Sequence, residues 1–222
     1  MAFYTKSVKQ TLDDLQTTSS GLSAIESKQR LRQYGPNSIK LHTEPLWRKL
    51  LEPFLSVFMA VLVAIGISLW HRSYFDAAII GAIILLNALI YYVQRFSTER
   101  ILRSLQKRST VKVEVLRKGK SVTVDAVNIV PGDVIVLDEG DKIPADARII
   151  EARSFRVDES QLTGESLPIS KQVETLGADR QIYEQSNMVF QGSFVIGGEA
   201  RAVVVATGNN TEFGRLSDLS AT

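Results

Sequence analysis

Val111 to Val124 reads VKVEVLRKGKSVTV. Val111, Val113 and Val115 alternate with Lys112 and Glu114, a period of two that sorts apolar and polar residues onto opposite faces of an extended chain. Lys118-Gly119 supplies a turn, and Val122 and Val124 resume the alternation as a second strand. Downstream, DVIVLD, ARIIEA, FRVDE, NMVFQGSFVI and ARAVVVAT follow closely, separated by Gly, Pro, Asp and Asn. Short strands at this spacing predict one compact all-β domain of about a hundred residues, taken here as residues 109–222. Because the pattern buries its own apolar face, a segment cut near Ser109 is expected to be soluble by itself.

Upstream the period changes. Pro53 to Trp70 (PFLSVFMAVLVAIGISLW) contains no charge, and Tyr74 to Val93 (YFDAAIIGAIILLNALIYYV) contains only Asp76. Each has the length of a helix that crosses a hydrocarbon core of about 30 Å. Two helices apolar on every side do not fit a soluble core of this size, so residues 46–108 are predicted to form a transmembrane hairpin and stalk, with Gln94 to Leu105 as the stalk. Arg48 and Lys49 precede the first span, and Arg95, Arg100, Arg103, Lys107 and Arg108 follow the second, whereas only His71 and Arg72 lie between them. The positive-inside rule then places both termini and the β domain in the cytoplasm of a multi-pass cell-membrane protein. Trp70, Tyr74, Tyr91 and Tyr92 fall where interfacial aromatics belong, and Asn87 suits an interhelical hydrogen bond. Residues 1–45 are polar with helical spacing at Leu22, Ile25, Gln29 and Leu31. Ser23 and Glu26 are spaced as a capping box, and Gly35-Pro36-Asn37 ends the helix.

Bulk composition removes several classes of function. With 222 residues and a net charge of +2, the chain carries no nucleic-acid-binding tail, and no nucleic-acid partner is expected. The absence of cysteine excludes disulfides and thiolate metal sites, and His42 and His71 are too few and too far apart for a histidine cage. A mean hydropathy of +0.03 is high for a soluble protein and reflects the two apolar segments.

Three motifs bear on chemistry. Gly119-Lys120-Ser121 lacks the glycine a phosphate loop needs five positions earlier, where Glu114 stands, and a strand rather than a helix follows. Pro131 to Ile150 (PGDVIVLDEGDKIPADARII) pairs glycines with aspartates as turns require, without the ligand spacing of a calcium loop. VDESQLTGESLPISK, Val157 to Lys171, differs: Gly164 clears the way for close backbone approach, and Glu165 is a carboxylate on a loop tip, suited to accept a proton from water.

VDESQLTGES, PGDVIVLDEGDKIPADARI and MVFQGSFVIGGEARAVVVATGNNTEFGRL together resemble the actuator domain of P-type cation-transporting ATPases. GLSAIESKQRLRQYGPNSI resembles the amino-terminal segment of their type II branch. The resemblance implies a mixed fold: amino-terminal helices, a two-helix transmembrane hairpin, then an all-β actuator domain shaped as a distorted jelly roll or β-barrel. It implies that Thr163, Gly164, Glu165 and Ser166 form the loop that hydrolyses an aspartyl-phosphate carried by another domain. Glu165 would activate the water, while Thr163 and Gly164 shape the loop. ATP and Mg2+ are implied for the complete pump, with none bound by this segment. The implied partners are the lipid bilayer, the phosphorylation and nucleotide-binding domains, and a transported cation, calcium being weakly preferred.

No Asp-Lys-Thr-Gly phosphorylation signature occurs, since the only Asp-Lys, Asp141-Lys142, continues with Ile143. The chain is therefore expected to be the amino-terminal portion of a pump. Two alternatives without catalysis stay open at this stage: a membrane-anchored β module serving as a channel subunit, and a regulator that imitates an actuator domain.

Overall fold

A computed structural model describes residues 2–39, 111–164 and 167–220, with scattered positions between 63 and 94. The chain divides into two compact units, Met1–Leu41 with Thr110–Thr222, and His42–Ser109.

In the first unit, seven strands form one antiparallel sheet: β1 (Lys112–Arg117), β2 (Lys120–Asp125), β3 (Val134–Leu137), β4 (Asp146–Asp158), β5 (Ile169–Ser170), β6 (Met188–Val189) and β7 (Phe194–Ala206). Their order is β2-β1-β3-β7-β4-β5, and β6 also pairs with β4. The β1–β2 hairpin closes through Lys118 and Gly119, whose φ angles of 50° and 79° are the pair of positive values that a two-residue turn matching strand twist requires. Val113 and Val115 are buried while Lys112 and Glu114 are exposed, so the alternation holds in the middle of β1, whereas Val111 and Val122 at the hairpin's margins are exposed.

The sheet nevertheless buries side chains on both faces. Val115, Ile135, Ile149 and Val195 belong to the larger core cluster. Leu116, Val134, Ile150 and Val203 belong to a second, against which Val8, Leu12 and Leu15 pack. Those last three lie on or just beyond α1 (Val8–Asp14). Double coverage explains why β3 reads as a continuous apolar run rather than as alternation.

ARIIEA and FRVDE, which read as two strands, form the single β4 of 13 residues. Register shifts against β7 fall between Ile149 and Glu151 and between Arg153 and Arg156. Ser154 has a φ of 47°, and Gly198, at φ +77°, faces the irregularity so closely that a Cβ would lie 2.3 Å from the Arg153 carbonyl oxygen. Bulges of this kind let a long strand bend without ending.

α2 (Ala24–Tyr34) begins with the expected capping box: Ser23 Oγ accepts the Glu26 N–H, and the Glu26 carboxylate accepts the Ser23 N–H at 2.8 Å. Gly35, at φ 78°, ends it. Ile25 is 71 % exposed, so α2 is not attached by an apolar stripe. Polar contacts hold it instead. The Arg30 guanidinium donates to the carbonyls of Pro131 at 2.8 Å and Gln16 at 2.9 Å, and Arg117 donates to Ser27 Oγ at 2.8 Å. Buried Asn37 then spans the fold: its amide donates to the carbonyls of Ala126 and Pro144, and its oxygen accepts the Gly208 N–H at 2.8 Å.

In the second unit, the described positions between 63 and 94 are helical, and several apolar side chains there are exposed, Trp70 at 87 % and Leu85 at 73 % among them. Asn87 is exposed on this helical backbone. Among the described residues no helix is long and apolar enough to cross a membrane. Much of the predicted Pro53–Trp70 span, the stalk beyond Gln94, and the flanking charges Arg48, Lys49, Arg72 and Arg95 lie outside the described residues.

Candidate functional site: the loop between β4 and β5

β4 ends in the polar run Asp158-Glu159-Ser160-Gln161, which turns into one helical turn, α3 (Ser160–Thr163). Asp158 Oδ1 accepts the Ser160 N–H at 2.9 Å. That hydrogen bond, with a second from the Ser160 side chain, holds the Asp158 carboxyl below its ordinary value. The Leu162 N–H returns to the Glu159 carbonyl and the Gly164 N–H to the Ser160 carbonyl, both at 2.9 Å.

Gly164 closes the turn in the left-handed region, at φ 76° and ψ −4°. It is exposed, and a Cβ there would meet nothing within 4 Å. Backbone conformation therefore selects glycine here and leaves its main chain open to approach. Leu167, 76 % exposed, and exposed Pro168 follow, and β5 returns along β4 with Arg156 opposite Ser170 and Val157 opposite Ile169. β5 is the last strand of the order, so the loop projects from a sheet edge. Thr163 lies on the helical turn; Glu165 and Ser166 lie outside the described residues.

Beneath the loop lies an ion pair invisible to composition. Lys171 Nζ sits 2.6 Å from Glu159 Oε1, and neither side chain has any exposure. Burial pushes Glu159 up, opposed by the Lys171 charge, and pushes Lys171 down, opposed by the Glu159 charge. Lys171 Nζ also lies 5.6 Å from the centroid of the Phe190 ring, and the Lys171 N–H donates to the Phe155 carbonyl at 2.9 Å. The two ionised residues bracket the segment that carries the Thr-Gly-Glu sequence.

The loop's exit is anchored by a second buried cation. Arg148 donates to the carbonyls of Ile149, Asn187, Lys6 and Val173, and burial lowers its guanidinium to about 10. Asn187 donates to the carbonyls of Tyr4 and Glu174. The amino-terminal arm and the segment that follows β5 thus share the same two donors. A buried arginine and a buried asparagine carry no periodic signal, and the sequence pattern did not single them out.

The aspartates of Pro131–Ile150 do what turn chemistry asks. Asp133 accepts the Val130 N–H at 3.1 Å and pairs with Arg117, and Asp141 accepts the Asp138 N–H at 3.0 Å. Asp146 reaches further. Its oxygens accept the N–H groups of Gln191 at 2.8 Å and Glu212 at 2.7 Å, fixing the start of α4 (Glu212–Ser220). Gly119 lies in the β1–β2 turn, and Lys120 and Ser121 open β2, so these residues form no helix N-terminus for a phosphate. Among the described residues no group of three or more His, Asp or Glu side chains is placed to hold a metal ion.

Comparison with known proteins agrees with this anatomy. Residues 107–221 match the family described as P-type ATPase actuator domain, and residues 3–68 match cation transporter/ATPase, N-terminus. A cation-transporting ATPase of Synechocystis is 39 % identical over 89 % of this chain and 22 % of its own length. A calcium-transporting ATPase of Listeria monocytogenes is 36 % identical over 100 % of this chain and 26 % of its own length. A sodium/potassium exporting P-type ATPase of Saccharomyces cerevisiae is 32 % identical over 97 % of this chain and 20 % of its own length. The chain thus spans about a quarter or less of the curated relatives it matches. With both family matches in the order that the fold requires, the chain belongs to the P-type cation-transporting ATPases and carries their amino-terminal and actuator-domain sequence.

Proposed function

We propose that this chain works within an ATP-driven cation pump as the part that ends the phosphorylated state. Glu165 is the general base: its carboxylate takes a proton from a water molecule whose oxygen attacks the phosphoryl group of an aspartyl-phosphate on the phosphorylation domain. A new P–O bond forms, the bond to the aspartate oxygen breaks, and inorganic phosphate and a free aspartate carboxylate result. Thr163 and Gly164 shape the loop, Ser166 completes it, and the open main chain at Gly164 lies against the phosphoryl group.

The observation that carries this reading is the projection of the Gly164 turn from the sheet edge, with exposed Leu167 and Pro168 beside it. A tip built this way suits delivery to a partner surface. ATP and Mg2+ act in the complete pump.

The hairpin of Pro53–Trp70 and Tyr74–Val93 spans the bilayer, with both termini cytoplasmic, and couples rotation of the β domain to the ion path. Exposed apolar side chains on helical backbone at Trp70, Leu85 and Leu89 support this placement. The cargo is a small cation. Calcium is the first to test, since one relative's name gives calcium and another's gives sodium and potassium.

The test is phosphoenzyme decay. In a pump assembled from this chain and the remaining domains of the calcium-transporting relative, Glu165→Gln should form phosphoenzyme from ATP normally and lose it about 100-fold or more slowly. Decay at the wild-type rate would overturn the assignment.

A further inference from the structure

The Thr-Gly-Glu loop is short of regular structure: one helical turn, Ser160–Thr163, and a two-residue strand, Ile169–Ser170, on either side of the tip. Hydrogen bonds this local do not hold a loop rigid by themselves. What joins its two ends is a side-chain contact. Glu159 is the residue immediately before the turn and Lys171 the residue immediately after β5, and they meet at 2.6 Å with no exposure.

A salt bridge in this position is a poor choice for stability alone. Two charges removed from water recover their desolvation cost only with excellent geometry, and an apolar pair of similar volume often serves as well. Its distinctive property is directional. A buried carboxylate and ammonium fix one register of the two strand ends, because any slip leaves an uncompensated charge. Lys171 is further fixed by the Phe190 ring and by its main-chain bond to Phe155.

We propose that Glu159 and Lys171 are positioning residues for the dephosphorylation step, a clasp that holds the two ends of the loop together, at Ser160 and at Ser170. This rests on the reading of Glu165 given above. The pair touches neither water nor phosphate. It acts by holding the base where the attacking water will be, and a displacement of about 1 Å at a reacting centre costs on the order of 100-fold in rate.

The experiment uses the assembled pump and three variants beside Glu165→Gln. Lys171→Met should leave the rate of phosphorylation by ATP unchanged and slow phosphoenzyme decay about 10- to 100-fold. The exchange Glu159→Lys with Lys171→Glu should restore decay to within about threefold of wild type, whereas Lys171→Arg should restore it only in part because the fork does not fit the ammonium's place. Wild-type decay in Lys171→Met, with Glu165→Gln still blocked, would overturn the clasp and leave the base assignment standing. Wild-type decay in Glu165→Gln would remove the reaction on which the clasp depends. A charge exchange that melts at the wild-type temperature yet decays as slowly as Lys171→Met would also overturn it. Should the single variants not fold, hydrogen exchange on the unmodified chain decides. The amides of Leu162, Gly164 and Lys171 should exchange only with opening of β4, and exchange by faster local opening would overturn the proposal.

Discussion

Asp146 carries more of the fold than its place in a turn-rich segment suggests. Burial raises its carboxyl to about 6, against the two N–H groups that favour the charged form. The folded value thus lies above the unfolded 3.8, and the folded chain binds this proton more tightly. The resulting stability is fully present below about pH 3.8 and is lost as pH rises through about 6. For this residue the loss amounts to about 3 kcal/mol. Urea titrations across that window should therefore show a slope that Asp146→Asn flattens. The variant also leaves one of the two N–H groups without an acceptor and starts from lower stability at neutral pH. An unchanged slope would assign the titration to another group. The same residue shows a limit of sequence reading. Gly-Asp and Pro-Ala-Asp announce turns correctly, but the partner that makes Asp146 important, the Glu212 amide at the start of α4, is 66 residues away. Likewise VDESQLTGESLPISK displays Gly164 and Glu165 as candidates at sight, whereas Glu159 and Lys171 look like ordinary surface charges until their burial is known.

Elements were legible where their signal is local. The β1–β2 hairpin and the Ser23–Glu26 capping box stand in the structure as the sequence spells them, and Ser7 with Gln10 forms a second capping box on α1. Signals failed where two elements share a job. β4 reads as two strands because its bulge interrupts the alternation, and Gly198 on β7 leaves the room that bulge needs. α2 reads as a polar segment with helical spacing at Ile25 and Leu31, and in the structure Ile25 faces solvent while arginine-to-carbonyl bonds attach the helix. This assigns different weights to two substitutions. Asn37→Ala strands the Gly208 N–H and the Pro144 carbonyl, while the Ala126 carbonyl keeps the Ile129 N–H, and should cost about 3 kcal/mol. Ile25→Ala removes an exposed side chain and should stay within about 0.5 kcal/mol. Denaturant midpoints of the two variants check the order; equal shifts would mean that Asn37 is not the latch.

At the scale of the whole chain, Met1–Leu41 and Thr110–Thr222 form one unit. A segment cut near Ser109 is then proposed to be soluble but less stable than the joined unit. Such a segment retains the larger core but strips α1 from Leu116, Val134, Ile150 and Val203. Residues 110–222 alone should melt about 10 °C or more below a chain in which residues 1–41 are joined to them by a flexible linker. They should also bind a hydrophobic dye that the joined chain ignores. Equal melting would show that the second cluster is dispensable.

Arg148 holding the Lys6 carbonyl, and Asn37 accepting the Gly208 N–H, also set a timetable for biosynthesis. Asn37 leaves the ribosome 171 positions ahead of Gly208, which at about 5–20 residues per second is a wait on the order of ten to thirty seconds. During that interval the leading helices have only an incomplete sheet to settle on, since β7 comes last. Newborn chains should thus pass through a protease-sensitive stage that closes only once α4 emerges.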